Sequence, residues 1–268
     1  MTTEAVAPID QARTVALALP KPTLAELAVS VALVDYGAGN LLSIGQALTV
    51  LGADVRVVRR AGEVGLPDLV VVPGVGAQGP AMRRLRRTGL ETALAEAVAG
   101  GAWFLGICLG MQLLFERSEE GGFRGLGWIA GETRRLPSAP RLPHIGWNEL
   151  EVLAPHRMLD GLPPRAPMYF IHSYAPVPND RGVVVAETSY GGRFASAVVS
   201  GRLLGLQFHP EKSGRDGLRV LRNVLELAVR APARVARDGS DPAGGAKLGG
   251  TPAREEAPLP APMTRGPA

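Results

Sequence analysis

One cysteine occurs in the 268 residues, and its neighbours set it apart. Cys108 lies in Gly106-Ile107-Cys108-Leu109-Gly110, after the apolar run Trp103-Phe104-Leu105 and before Met111-Gln112-Leu113-Leu114-Phe115, whose pattern predicts a helix. A strand that turns abruptly into a helix holds its reacting residue in a strained backbone conformation, and glycine on either side leaves room for the turn. The thiol then projects at the mouth of a sheet, where a helix N-terminus favours thiolate over thiol and improves the sulfur as a nucleophile. A lone cysteine in an apolar stretch is otherwise a passive core filler. The rest of the chain has to decide between the two.

A thiol nucleophile needs a base, and His209 is placed to be one. The apolar segment Leu203-Leu204-Gly205-Leu206-Gln207-Phe208 predicts a buried strand that delivers His209-Pro210-Glu211 at its carboxyl end. Residues two apart in extended backbone point the same way, so Glu211 can reach the imidazole of His209. A carboxylate on one ring nitrogen fixes the tautomer and leaves the other nitrogen to take the thiol proton. Thiolate attack on a carboxamide also makes an oxyanion, which backbone N–H groups stabilise. The Leu109 N–H follows the nucleophile, and the turn Pro73-Gly74-Val75-Gly76 offers a second donor around Gly74 and Val75. Taken alone, that turn reads better as an ordinary strand-to-helix connection.

The elements that must hold these groups alternate along the chain. Val29 to Val34, Val55 to Val58, Leu69 to Val72 and Trp103 to Ile107 predict strands, with helices at Leu41 to Leu51, Ala81 to Leu85 and Leu90 to Ala99 between them. Near-continuous apolar runs separated by helices indicate parallel strands covered on both faces. After about Gly127, the segments Tyr169 to Tyr174, Val183 to Thr188, Ala195 to Val199 and Leu203 to Phe208 predict sheet extensions and hairpins, closed by a helix from about Asp216 to Val229. The expected fold is therefore α/β, a mostly parallel central sheet flanked by helices in a single domain over 29–230. Ligands in such sheets gather at the carboxyl ends of the strands, where Cys108 and the Pro73–Gly76 turn both fall. Residues 1–28 lack a sustained period, and 231–268 are dominated by Ala, Pro and Gly. Both are expected to be disordered extensions, because too little apolar surface is present to offset ordering entropy.

Composition excludes several other classes. With 46% hydrophobic residues the chain can bury a full core, and its single cysteine forbids an internal disulfide. Four scattered histidines leave no zinc-ligand spacing, so no metal and no cofactor is expected. The longest apolar stretch, Ala102 to Phe115, is too short to span a bilayer, which takes about 20 residues. A reducing cytoplasm fits these features. The net charge of +4 and the cluster Arg83, Arg84, Arg86 and Arg87 could suggest nucleic acid. Aromatic residues make up only 5% and none interleave with the arginines, so the cluster reads as a solvated helix face or a patch for an acidic protein.

At this point the chain resembles a known family. The elbow and His209-Pro210-Glu211 are similar to those of the class I (triad) glutamine amidotransferases. Narrower segments resemble the amidotransferase subunits of imidazole glycerol phosphate synthases: Asp35-Tyr36-Gly37-Ala38-Gly39-Asn40, Pro73-Gly74-Val75-Gly76, Met111-Gln112-Leu113-Leu114-Phe115-Glu116, Pro143-His144-Ile145-Gly146-Trp147-Asn148 and Lys212-Ser213. The match runs from about Val31 to Leu227. The resemblance implies glutamine hydrolysis to glutamate and ammonia, with Cys108 as nucleophile, His209 as base and then acid, and Glu211 as the orienting carboxylate. It further implies glutamine contacts at Gly76, Gln112, Glu120 and the Ser173-Tyr174 backbone, and a heterodimer with a (β/α)8 cyclase subunit that consumes the ammonia in histidine biosynthesis. By the same resemblance His144, Trp147, Asn148 and Lys212 face the cyclase. From sequence alone a packed core aromatic is as good a reading of Trp147. A binding module that has lost turnover, and a hydrolase without a synthase partner, are the competing expectations.

Overall fold

A computed structural model describes residues 29–229. The expectations for residues 1–28 and 231–268 lie outside the described residues. Strands β1 (Ser30–Val34), β2 (Asp54–Val58), β3 (Leu69–Gly74) and β4 (Trp103–Cys108) pair in parallel, with α1 (Leu41–Val50), α2 (Ala61–Val64), α3 (Gln78–Arg87) and α4 (Leu90–Ala99) in the connections. The later strands are β5 (Phe115–Ser118), β6 (Ile129–Arg135), β7 (His144–Val152), β8 (Ala166–His172), β9 (Tyr174–Pro178), β10 (Val184–Ser189), β11 (Arg193–Ser200) and β12 (Leu203–Leu206). Two further helices are α5 (Leu109–Gln112) and α6 (Gly214–Val229). They build a nine-stranded sheet of order β2-β1-β3-β4-β12-β11-β10-β7-β8 and a three-stranded sheet of order β5-β6-β9.

The parallel half is apolar on both faces, as the unbroken runs required. Along β1, Val31 and Leu33 enter one core while Ala32 and Val34 enter the other, and β3 divides Leu69 and Val71 from Val70 and Val72 in the same way. On the first face α1 contributes Ile44 and Leu48, and α6 contributes Val220, Leu221, Val224 and Leu225. Residues Met82, Leu85, Leu90 and Leu94 of α3 and α4 cover the second. The arginines of α3 stay outside these cores: Arg83, Arg84, Arg86 and Arg87 are exposed, with Arg86 paired to Glu91 at 2.9 Å. Among the described residues no helix is long and apolar enough to cross a membrane.

The strand β12 inserts beside β4 although about a hundred residues separate them. Its parallel register sets Gly205 against Gly106 and Leu206 against Ile107, so the residues after β12 emerge level with Cys108. That register brings the two halves of the expected chemistry to the carboxyl ends of two adjacent central strands.

Two local expectations are corrected. The helical pattern at Met111–Phe115 gives way after a single turn, α5, and Phe115 begins strand β5. The returning segment takes the carbonyls a longer helix would use: Leu126 N donates to Leu113 O at 2.7 Å, and Trp128 N and Ile129 N donate to Leu114 O at 2.9 and 3.0 Å. Gly125 permits this approach, since a Cβ there would lie 2.1 Å from the Phe115 carbonyl oxygen. The stretch Tyr169 to Tyr174 is not one strand either. It breaks at Ser173, where the chain leaves β8 in the large sheet and enters β9 in the small one.

The elbow itself is sterically closed. A Cβ on Gly106 would stand 2.4 Å from Gly110 O, and one on Gly110 would stand 1.7 Å from Val72 O. Gly110→Ala therefore has no space without separating α5 from β3. We expect a loss of stability on the order of 3 kcal/mol or more, or no folded protein, read by urea denaturation. A variant as stable as the parent would show that the elbow tolerates a wider gap.

Candidate active site

Cys108 ends β4 with φ 53° and ψ −107°, a positive φ held by a residue that has a Cβ. Such strain persists only where the surroundings over-determine it, and here strands on both sides do so: β3 pairs Gly74 with Cys108, and β12 flanks the other edge. The helix that follows is only four residues long. Its field at the sulfur therefore comes from the few free N–H groups of its first turn, not from the long dipole that the apolar pattern suggested.

His209 and Glu211 meet as expected, but not through extended backbone: β12 ends at Leu206, and a 3-10 turn at Pro210–Lys212 carries Glu211 back to the imidazole. His209 Nδ1 and Glu211 Oε1 are 3.0 Å apart, with both side chains almost wholly buried. The buried Nε2 of His209 has no hydrogen-bond partner among the described residues. Cys108 is near enough to act on it electrostatically, yet its sulfur is engaged elsewhere: it donates to the Ile171 carbonyl at 3.5 Å and accepts from Gln207 Nε2 at 3.6 Å. Burial alone would push the His209 pKa down, but Cys108 and Glu211 overcome it and carry the value up to about 9. These partners favour the imidazolium form of His209.

A cavity of about 430 Å³ opens in front of the sulfur. It is lined by Val75, Gly76, Cys108, Leu109, Gln112 and Glu120 on one side, with Ile171, His172, Ser173 and Tyr174 opposite. The expected substrate contacts Gly76, Gln112, Glu120, Ser173 and Tyr174 are thus brought together. Glu120 sits in a turn after β5, not at a helix end, and one carboxylate oxygen accepts from Gln78 N at 3.3 Å. Gln112 spends its amide hydrogens within the protein, on Tyr174 O at 2.9 Å and Gln207 Oε1 at 3.1 Å. Gly76 has φ 92°, which favours glycine, whereas Gly74 is required for space: a Cβ there would meet the Tyr36 hydroxyl at 1.8 Å.

The four residues expected at a partner surface divide into two groups. Trp147 is 57% exposed and packs edge-on against Tyr169, over whose ring the Lys212 ammonium lies at 5.7 Å. Lys212 pairs with no carboxylate among the described residues. His144, in contrast, is 2% exposed and stacks between Tyr190 and Phe170, so its side chain cannot form a docking surface. Burial was invisible to the motif because His144 alternates along β7 with the exposed Ile145 and Trp147. Its Nδ1 meets His172 Nε2 at 3.1 Å, and its Nε2 meets the half-buried Asn148 amide at 3.4 Å. Burial lowers the pKa of His144 to about 4 and that of His172 to about 3, so both are neutral near pH 7.

The sequence reading gave no role to two buried polar residues of the site. Tyr36 is fully buried, its hydroxyl has no partner among the described residues, and burial and then Cys108 raise its pKa. Gln207 is 0% exposed and touches the sulfur. A polar residue inside the apolar run Leu203–Phe208 was the available signal for Gln207.

The sequence comparisons agree with this geometry. Residues 32–227 match the family model described as glutamine amidotransferase class-I, and the chain belongs to that family. The fold and site thus define a glutamine amidotransferase enzyme. Curated relatives narrow the resemblance to one branch. The chain is 46% identical over 202 residues to "Imidazole glycerol phosphate synthase subunit HisH" of Moorella thermoacetica, covering 75% of this chain and 96% of the relative. It is 42% identical to the protein of that name from Dehalococcoides mccartyi, over 74% and 98% of the two chains. Among solved structures it is similar to a glutamine amidotransferase at 25% identity and TM-score 0.58, covering 74% of this chain and 98% of that one. It shares its fold with PurLQS from Thermotoga maritima, at 20% identity, TM-score 0.60, and 75% and 99% coverage.

The raised His209 pKa has a signed consequence. Because the folded value lies above the ordinary 6.5, the stability it contributes is fully present below pH 6.5 and is lost as pH rises through about 9. Of the four histidines, His209 should titrate near pH 9 in a proton NMR series, assigned by its absence in His209→Asn. Glu211→Gln and Cys108→Ala should each move that titration toward 6.5. A His209 titration below 6.5 in the parent would mean that neither partner offsets its burial.

Proposed function

We propose that the chain is the glutaminase subunit of an imidazole glycerol phosphate synthase, acting in the cytoplasm as a heterodimer with a cyclase subunit. The observation that carries the chemistry is the strained Cys108 beside the buried His209–Glu211 pair, at the head of a cavity sized for a small amino acid. The proton of Cys108 passes to His209 Nε2, and the sulfur attacks the carboxamide carbon of glutamine. Its oxygen turns toward Leu109 N–H and the Gly74–Val75 peptide. His209 then gives the proton to the departing ammonia, leaving a glutamyl thioester that water opens to glutamate. Glu211 holds Nδ1 and keeps Nε2 available throughout. Glu120 supplies an acidic partner for the substrate's α-ammonium, and Gln112 and the Ser173–Tyr174 backbone line the remainder of the pocket.

Support for a partner comes from the exposed patch of Ile145, Trp147, Tyr169 and Lys212, which joins apolar area to an unpaired positive charge. Trp147 and Lys212 belong to this docking face. Asn148 and His144 act beneath it, through the hydrogen bonds described above. A cyclase surface presenting a carboxylate to Lys212 would fit it.

Cys108→Ala should abolish glutamine-dependent synthesis in the reconstituted complex and leave synthesis from ammonium salts intact, because the cysteine only generates ammonia. Loss of both activities would show a structural cysteine. The oxyanion loop supplies a second test. Losing one oxyanion donor costs about 10² to 10³ in rate, and Val75 is 44% exposed in the isolated chain. Cyclase and its nucleotide ligand should raise kcat of the free chain about a hundredfold, and Lys212→Glu should raise the cyclase concentration needed. Full turnover by the free chain would favour a stand-alone hydrolase.

A further inference from the structure

Gln207 has no role in the chemistry above, yet its position and hydrogen bonds are closely determined. Strand β12 ends one residue before it, in a register that sets Leu206 beside Ile107, so Gln207 comes level with Cys108. Its N–H donates to Ser196 O at 2.9 Å, which fixes the backbone. The side chain is fully buried and both of its ends are engaged, Nε2 on Cys108 Sγ at 3.6 Å and Oε1 with Gln112 Nε2 at 3.1 Å.

Which end faces the sulfur is decided by the neighbours. Tyr174 O can only accept, so the Gln112 group 2.9 Å from it must be the amide nitrogen, and the same nitrogen then donates to Gln207 Oε1. That leaves Gln207 Nε2 for the sulfur. Tyr174 O also accepts from His172 Nδ1 at 2.9 Å. A proton on Nδ1 leaves His172 Nε2 bare, to accept from His144 Nδ1, and His144 Nε2 in turn accepts from Asn148, whose amide also donates to Ser189 O at 3.0 Å. Reversing Gln207 would set its carbonyl against the sulfur and its amide against that of Gln112. The two amides would then oppose each other inside a buried network, an unfavourable donor–donor contact.

We propose that Gln207 is a catalytic residue: its carboxamide N–H, held by the Gln112–Tyr174–His172–His144–Asn148 chain, stabilises the thiolate of Cys108. The two sulfur contacts act in opposite senses. The Ile171 carbonyl accepts S–H and favours the thiol, while the Gln207 N–H strengthens as charge grows on sulfur and favours the thiolate. Ionisation therefore frees Ile171 O, retains Gln207 and sends the proton to the unpartnered Nε2 of His209. No bond to Gln207 forms or breaks. The place of this step in glutamine hydrolysis rests on the function proposed above; the effect on the sulfur does not.

Cys108 is the only cysteine in the chain, so alkylation by iodoacetamide reports it alone. The rate would be followed from pH 5 to 10 in the full chain and in Gln207→Met and Gln207→Glu, with circular dichroism as the control for folding. A charge-assisted hydrogen bond lost from the ionised form should raise the alkylation midpoint of Gln207→Met by about one to two pH units. At a pH below both midpoints the thiolate fraction then falls roughly tenfold or more, and the alkylation rate by about three- to tenfold, because the more basic thiolate is the better nucleophile. The nearly isosteric Gln207→Glu, which sets a carboxylate against the sulfur, should raise the midpoint at least as far. Because the less stabilised thiolate is also intrinsically more nucleophilic, glutaminase kcat at neutral pH should fall less than the thiolate fraction, by a factor of about three to ten. Unchanged alkylation midpoints in folded variants would overturn the role of Gln207 and leave the glutaminase reading standing. A shifted midpoint in a chain that never hydrolyses glutamine, with or without a cyclase, would support Gln207 and sink the glutaminase reading instead.

Discussion

The site depends on the close approach of Gly110 to the carbonyl of Val72. With no side chain at Gly106 or Gly110, the first turn of α5 folds back over the end of β4 and packs against β3. Cys108 lies between these contacts and takes its positive φ as a result. The strain costs on the order of 1–3 kcal/mol. It is carried by a strand inside a nine-stranded sheet, paired on both edges, which cannot relax without disrupting β3 and β12. The same pairing with β12 delivers Gln207, His209 and Glu211 to the sulfur. Nucleophile geometry and the supply of its polar neighbours therefore have one cause.

Burial lowers the pKa of all three of the site's histidines, but their neighbours make the outcome differ. His209 faces a carboxylate and a sulfur that can ionise, and its pKa rises despite desolvation. His144 and His172 face each other, a backbone carbonyl and a carboxamide; the Tyr174 carbonyl only partly offsets the desolvation of His172, and burial lowers both values. One imidazole is thus suited to moving a proton, while the other two, permanently neutral, serve as fixed links between donors and acceptors. The lowered values keep the direction of that hydrogen-bond chain constant across the physiological pH range.

Much of this could be read from residue types and spacing. Apolar runs of strand length with helices between them implied the parallel sheet, and the glycines around Cys108 implied the elbow. The two-residue spacing of His209 and Glu211 implied their contact. What could not be read depends on tertiary partners. The single turn of α5 is set by Leu126 and Trp128, which return from elsewhere to claim the carbonyls of Leu113 and Leu114. His144 belongs to the same exposed-looking motif as Trp147, yet the pleat of β7 turns it into the core. Gln207 lay in plain view within an apolar strand, but only the register of β12 against β4 shows what it touches.

The loop Asp35–Asn40 acquires a mechanical meaning from its contacts with Gly74. Tyr36 fills the space where a side chain would stand, and Gly39 brings its backbone to the Gly74 N and Cα, at a spacing where a Cβ would lie 3.4 Å from each. A Cβ on Gly74 would also stand 3.0 Å from the Leu109 Cβ. The rear of the Pro73–Gly76 turn is consequently a wall with no slack, while its front, at Val75, opens to solvent. The space left to the turn is therefore on the side of the cavity in front of Cys108, which Val75 and Gly76 line.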